Sequence, residues 1–195
     1  MKNAFLLLAC CLMSCRQQVV KKTDPASVTE TPEARDTTAH HISKKYPVGD
    51  INNDKKADTA TVSYDFNFDT QEVVCPTPDC PIKITFGPNI PGIDIDLSLG
   101  VFVRMAPDLN NDKADDILLF SRTYEGYWNN IFIYSFSNGK WTELACTKCF
   151  FSDDADAENR IVKEKGKYYL VGDSWDDAKG GVVKRSVMVE IKREK

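Results

Sequence analysis

The sequence predicts an all-β fold of antiparallel strands, and three observations carry that expectation. Apolar residues recur mostly with period two, in short runs bounded by turn residues, as half-buried strands require. Between two such runs stands Asn138-Gly139, the strongest short-range hairpin signal. An acidic loop also occurs twice, 58 residues apart, each time followed by a β-rich run, which points to duplicated β-units.

The chain of 195 residues opens on "MKNAFLLLACCLMSC". Lys2 supplies a positive start, residues 4–13 are apolar but too few to span a bilayer, and small residues precede a Cys. The ending "LMSC" resembles the lipobox of bacterial lipoproteins. That resemblance implies that residues 1–14 are a signal peptide, that Cys15 becomes the lipidated N-terminus, and that Cys10 and Cys11 are discarded. An ordinary secretory signal and an uncleaved hydrophobic N-terminus are the alternatives. Arg16 stands where Asp would retain such a protein in the inner membrane, so the resemblance implies an outer-membrane lipoprotein facing the periplasm.

No later segment approaches eighteen consecutive apolar residues, so membrane contact is expected through the lipid alone. Cleavage leaves 24 Lys and Arg against 29 Asp and Glu, a net charge of −5. That acidic balance argues against nucleic acid as a partner, since no basic patch is available to displace counterions from phosphates.

Residues 16–45 are rich in Thr, Lys, Glu and Pro and show no apolar periodicity, so they cannot bury enough surface to offset ordering entropy. With Cys15 they are expected to form a flexible tether with a reach of roughly 30 Å. His40 and His41, the only histidines of the chain, read as solvated tether residues.

Residues 46–195 are expected to form one all-β domain. Its strands read "TATVSYDF", "IKITFG", "IDIDLSLGVFVRM", "DILLFSR", "NIFIYSF", "KWTELA", "KYYLVG" and "VVKRSVMVEIKR". In "IDIDLSL", Ile93, Ile95, Leu97 and Leu99 should share one face, with Asp94, Asp96 and Ser98 on the other. Only "SDDADAENRIVKEKG" at 152–166 has the character of a helix, with an acidic loop as the alternative.

Four cysteines follow the anchor, in two close pairs: Cys75 with Cys80, and Cys146 with Cys149. In an exported chain disulfides are the default, and a four-thiolate zinc site is the alternative. A redox role for "CTKC" is weaker, because Cys149 runs into Phe150 and Phe151 rather than into a helix start.

The two loops read "DINNDKKAD" at 50–58 and "DLNNDKADD" at 108–116, matching at positions 1, 3, 4, 5, 6 and 9. Calcium takes six to eight oxygens at about 2.3–2.6 Å, which a curled loop supplies by turning alternate residues inward. The first loop offers Asp50, Asn52, Asp54, the carbonyl of Lys56, and Asp58. The second offers Asp108, Asn110, Asp112, the carbonyl of Ala114, and Asp116. Asx-turns without an ion are the bland alternative. Position 12 is Thr61 or Leu119 where an EF-hand needs a bidentate Glu, so an EF-hand is excluded.

Closure by Asp at position 9 resembles the calcium loops of FG-GAP (VCBS-type) repeats, the β-propeller units of integrin α-subunits. The resemblance covers roughly residues 46–66 and 101–123, and it implies ligands at positions 1, 3, 5, 7 and 9 of each loop. It also implies antiparallel strands in propeller-blade-like repeat units, too few here to close a full propeller. Lys55 and Lys113 stand where that family has Gly, at a cost on the order of 1 kcal/mol each. A decayed third copy, "VGDSWDDAKGG" at 171–181, keeps Asp173 and Asp177 but has Trp175 and Gly181 at ligand positions, and no metal is expected there.

With no histidine expected in the domain, Ser-His-Asp and Cys-His nucleophile systems fall away. A carboxylate-dependent glycan hydrolase built on Asp153, Asp154, Asp156 and Glu158 remains formally open, against the simpler reading of a solvated acidic segment. Tyr124, Tyr127 and Trp128, with Trp175 in another turn, are the residue types that anchor protein interfaces or stack on sugars, or that merely cover the end of a β core. The function expected is a lipid-anchored cell-envelope binding protein with two structural calcium ions, not an enzyme, with a protein or glycan partner. An immunity-like lipoprotein that blocks a cell-wall hydrolase is the alternative.

Overall fold

Twelve strands and no helix occupy the residues that the computed structural model describes, which are 39–74, 81–124, 127–150 and 160–189. The signal segment, Cys15 and residues 16–38 lie outside them, as do Cys75, Cys80 and the acidic cluster Asp153, Asp154, Asp156 and Glu158. The first sheet contains β1 (His40–Gly49), β2 (Asp58–Asn67), β3 (Glu72–Val74), β4 (Ile82–Thr85) and β5 (Ile93–Ile95), in the order β1-β2-β4-β5 with β3 also on β2. The second runs β6 (Gly100–Ala106), β7 (Asp116–Arg122), β8 (Trp128–Ser137) and β9 (Lys140–Phe150). The third is β10 (Ile161–Glu164), β11 (Lys167–Asp176) and β12 (Gly181–Met188). All pairings are antiparallel, and each sheet is laid down strand after strand along the chain.

The second sheet is covered on both faces. Ile117 and Leu119 of β7 enter a core with Val48, Val62 and Ile84 of the first sheet, while Leu118 and Phe120 enter another with Ile131, Ile133 and Leu170. Hence "DILLFS" reads as an unbroken apolar run rather than an alternating one. Each Leu or Ile so buried contributes on the order of 1.5–3 kcal/mol. At the β8–β9 turn Asn138 and Gly139 both take positive φ, 50° and 77°, as a type I′ hairpin needs. Just beyond it, the Trp141 indole N–H donates to the Pro91 carbonyl at 2.8 Å and the ring packs on Phe86 and Phe136, tying the second sheet to the first.

The structure corrects three expectations. β1 begins at His40, so residues 40–45 belong to the domain and not to the tether. They bury little side-chain surface, but ladder pairing from His40↔Phe66 to Lys45↔Thr61 satisfies their backbone groups, a gain invisible to composition. The alternation of "IDIDLSL" breaks after Ile95: Leu97 has φ 50° and is 77% exposed, whereas Ser98 is buried and donates to the Gly100 carbonyl at 2.8 Å. The chain turns there to pass from the first sheet to the second. The helix considered over 152–166 gives way to β10 at Ile161–Glu164, turning through Lys165 and Gly166 at φ 49° and 78°. Residues 151–159 lie outside the described part.

A buried ion pair braces the third sheet, and its carboxylate also bonds to the end of the second. Arg160, 1% exposed, donates from Nη1 to Asp173 Oδ2 at 2.9 Å, and the same oxygen accepts the Phe150 N–H at 2.9 Å from the end of β9. Lys184 lies 3.0 Å from the other carboxylate oxygen. Burial alone would raise the Asp173 pKa, but the Phe150 N–H and the two cations together hold it below the ordinary carboxylate value. Beside it Gly172 lets β11 cross β9 closely, since a side chain there would meet the Lys148 carbonyl at 2.5 Å.

Candidate metal loops and an aromatic groove

Both acidic loops connect the first and second strands of a sheet, 50–58 between β1 and β2 and 108–116 between β6 and β7. They follow one path. In the first, Asp50 accepts the N–H groups of Asp54 (3.0 Å) and Lys55 (2.8 Å), Asn52 Oδ1 that of Asp54 (2.9 Å), Asp54 Oδ1 that of Lys56 (2.9 Å), and Asp58 Oδ2 that of Ile51 (3.1 Å). In the second, Asp108 accepts those of Asp112 (3.1 Å) and Lys113 (2.9 Å), Asn110 Oδ1 that of Asp112 (3.1 Å), Asp112 Oδ1 that of Ala114 (2.9 Å), and Asp116 Oδ2 that of Leu109 (2.8 Å). These bonds curl each loop so that the side chains at positions 1, 3, 5 and 9 converge on its own backbone. Position 2 pins each loop from below, Ile51 in the first core and Leu109 in the second.

Positions 4 and 6 are left-handed in both copies: Asn53 at 59°, Lys55 at 66°, Asn111 at 65° and Lys113 at 77°. The lysines thus make the turn that glycine makes in the FG-GAP-like pattern, at about 1–2 kcal/mol each. Lys56 and Ala114 occupy position 7 on this shared path.

The carboxylates are electrostatically uneasy. Asp58 is raised above the ordinary value, first by burial and then by the charges of Asp54 and Asp50, against the pull of the Ile51 N–H. Asp116 is fully buried and pushed up to about 7 by burial, with the charges of Asp112 and Asp108 adding to the rise and the Leu109 N–H and nearby Ser135 opposing it. The Ser135 hydroxyl donates to Asp112 Oδ2 at 3.1 Å, and Asp116 Oδ1 is left without a hydrogen-bond partner among the described residues. A buried, orphaned carboxylate oxygen next to two further carboxylates can be relieved by a proton or by a hard cation, either of which offsets the cost of that burial.

The two loops touch. The Asp50 N–H donates to Asp115 Oδ2 at 2.9 Å, and the Asp115 N–H donates back to the Asp50 carbonyl at 2.8 Å. Gly49 makes this approach possible: its φ is 77°, and a Cβ there would overlap the Asp115 carboxylate and lie 2.8 Å from the Met105 sulfur. Gly49→Ala should therefore lower stability by about 2–3 kcal/mol, read as a melting temperature lower by roughly 5–10 °C. An unchanged melting curve would mean that the loops do not meet in this way.

The remaining candidate residues divide. Asp173 of the third copy is committed to its ion pair, and Asp176 caps an ordinary hairpin turn by accepting the Ala178 and Lys179 N–H groups at 3.0 and 3.2 Å. Cys146 is exposed and Cys149 buried, and the two are not joined to each other. Three residues apart on β9, they point to opposite faces, so they can neither bridge each other nor share one tetrahedral zinc. His40 and His41 belong to the domain after all, at the far end of β1 from the loop, with His41 Nδ1 2.8 Å from Asp65 Oδ1 on an exposed edge.

Tyr124, Tyr127 and Trp175 are exposed, Trp175 at 57%. Trp128 is half-buried against Phe150, with ring centres 5.2 Å apart. Trp128 and Trp175 share a groove of about 830 Å³ between the β8–β9 face and the β11–β12 hairpin, lined also by Phe132, Lys148 and Arg185. Tyr124 and Tyr127 are not among its lining residues. Sequence reasoning missed Lys148 and Arg185, since nothing local marks a surface cation as facing a tryptophan on another sheet.

No family model matches this chain, and no curated protein or solved structure is similar to it.

Proposed function

We propose that the chain is a lipid-anchored cell-envelope binding protein in which each acidic loop holds a structural calcium ion, and that it performs no catalysis. The observation that carries the calcium reading is the repetition of one loop path with the Asp116 oxygen buried and orphaned at the end of the second copy. Asp50, Asn52, Asp54, Asp58 and the Lys56 carbonyl would hold the first ion. Asp108, Asn110, Asp112, Asp116 and the Ala114 carbonyl would hold the second. Calcium would supply positive charge that cancels the repulsion within each trio of carboxylates. The anchor rests on the first fifteen residues of the sequence.

The sheet plan supports the blade-like reading. Two sheets begin with a strand, an acidic loop and a second strand, which is where the FG-GAP-like resemblance puts its calcium loops. Two such units and one three-stranded sheet are too few to close a ring.

The test is thermal melting with millimolar calcium and then with excess EDTA. Two sites filled at about a hundred times their Kd would stabilise by about 5 kcal/mol, so EDTA should lower the melting temperature by about 10 °C or more. Magnesium should restore little of that, since it keeps its water and demands a tighter octahedron. A melting temperature indifferent to EDTA would remove the calcium sites from the proposal.

A further inference from the structure

We infer that the groove between the β8–β9 face and the β11–β12 hairpin is a binding site for an acidic oligosaccharide. The inference rests on the binding part of the function proposed above and not on the calcium part. Its volume of about 830 Å³ lies in the upper part of the range for ligand sites, roughly 300–1,000 Å³. It is an open trough rather than an enclosed cavity, which suits a chain lying along it.

Three aromatic side chains from two sheets meet there: Trp128 and Phe132 from β8 and Trp175 from β11. Their ring faces can pack on the C–H faces of sugar rings, and Trp175 keeps its surface exposed rather than folding it into a core. Asn130, Thr147 and Ser174 add hydrogen-bonding groups of the kind sugar hydroxyls need.

Charge selects among sugars. Lys148 and Arg185 line the groove, in a chain whose net charge is −4. Asp173 also borders it, but its side chain is 2% exposed and lies between Arg160 and Lys184, so it presents no free negative charge. The described lining thus presents cationic side chains, Arg185 exposed among them, and carboxylates on a sugar chain complement them. A peptide adding as a further strand would need an unpaired strand edge, whereas the groove is lined by side chains on strand faces.

The test uses the full chain with calcium present, with trigalacturonic acid as the acidic probe and galactotriose as its neutral counterpart. Tryptophan fluorescence and calorimetry give the affinities. The acidic trimer should quench fluorescence saturably and bind at least about tenfold more tightly than the neutral one. Trp175→Ala and Arg185→Gln should each weaken it by about tenfold or more, and both should melt with the parent chain, since these side chains are exposed. Equal binding of the two trimers, or unchanged affinity in Trp175→Ala, would overturn the inference. So would saturable binding of a hexaglutamate peptide with no binding of either saccharide, which would assign the groove to a protein partner. Loss of saccharide binding with the EDTA effect intact would overturn this inference alone and leave the calcium sites standing.

Discussion

Asp173→Asn is expected to destabilise the domain by about 3–5 kcal/mol, a large part of the stability of a domain this size. The replacement is nearly isosteric, so its cost comes from charge. Arg160, 1% exposed, would keep its positive charge in the interior without the carboxylate 2.9 Å away, while the Asn oxygen could still accept the Phe150 N–H. Removing both charges with apolar groups, as in Arg160→Met with Asp173→Leu, should cost less than the single change, because no uncompensated ion remains. The pH dependence follows from a carboxyl held below its unfolded value. The folded state then binds fewer protons than the unfolded one, so this contribution is present above the ordinary carboxylate pKa of about 3.9 and is lost as pH falls through the lower folded value. Urea unfolding at pH 7 and across the acid limb would check both points. A loss under about 1 kcal/mol in Asp173→Asn would mean that the pair does not brace the third sheet.

Asp116 should give the opposite sign. In protein stripped of metal its carboxyl is raised to about 7 by burial. Between about pH 4 and 7 the folded state therefore binds a proton that the unfolded state has lost, and stability falls by up to a few kcal/mol as pH rises through that window, with no further change above it. Calcium would hold the carboxylate ionised, so in its presence the fall should disappear. Asp116→Asn removes the titrating group, and the stripped variant should show a flatter profile and be at least as stable as the parent chain above pH 7. It should also lose about half of the calcium-induced rise in melting temperature, with the first loop supplying the rest. A full calcium response in Asp116→Asn would take that residue out of the second site.

Much of the fold is local enough to read from the chain. The period-two runs largely became strands, Asn138-Gly139 became the expected turn, and the loop side chains at positions 1, 3, 5 and 9 bond back to their own loop's backbone, because those bonds close within nine residues. The left-handed lysines at position 6 are harder to anticipate, since their intrinsic preference opposes the conformation that the surrounding bonds impose. The sharpest departures arise where local pattern and long-range pairing compete. Residues 40–45 look like tether by composition and are a strand by pairing. Leu97 fits an alternation that ends two residues before it.

By itself, then, the sequence determined an all-β chain with two matched acidic loops, because strand period, turn dihedrals and side-chain-to-backbone bonds act over a few residues. Only the tertiary structure decided that Asp115 reaches back 65 residues to Asp50, that Arg160 meets Asp173, and that Trp128 and Trp175 share one groove with Lys148 and Arg185. The physical reason is that β7 buries both its faces. Packing a sheet on each side of it brings together residues that no local rule relates.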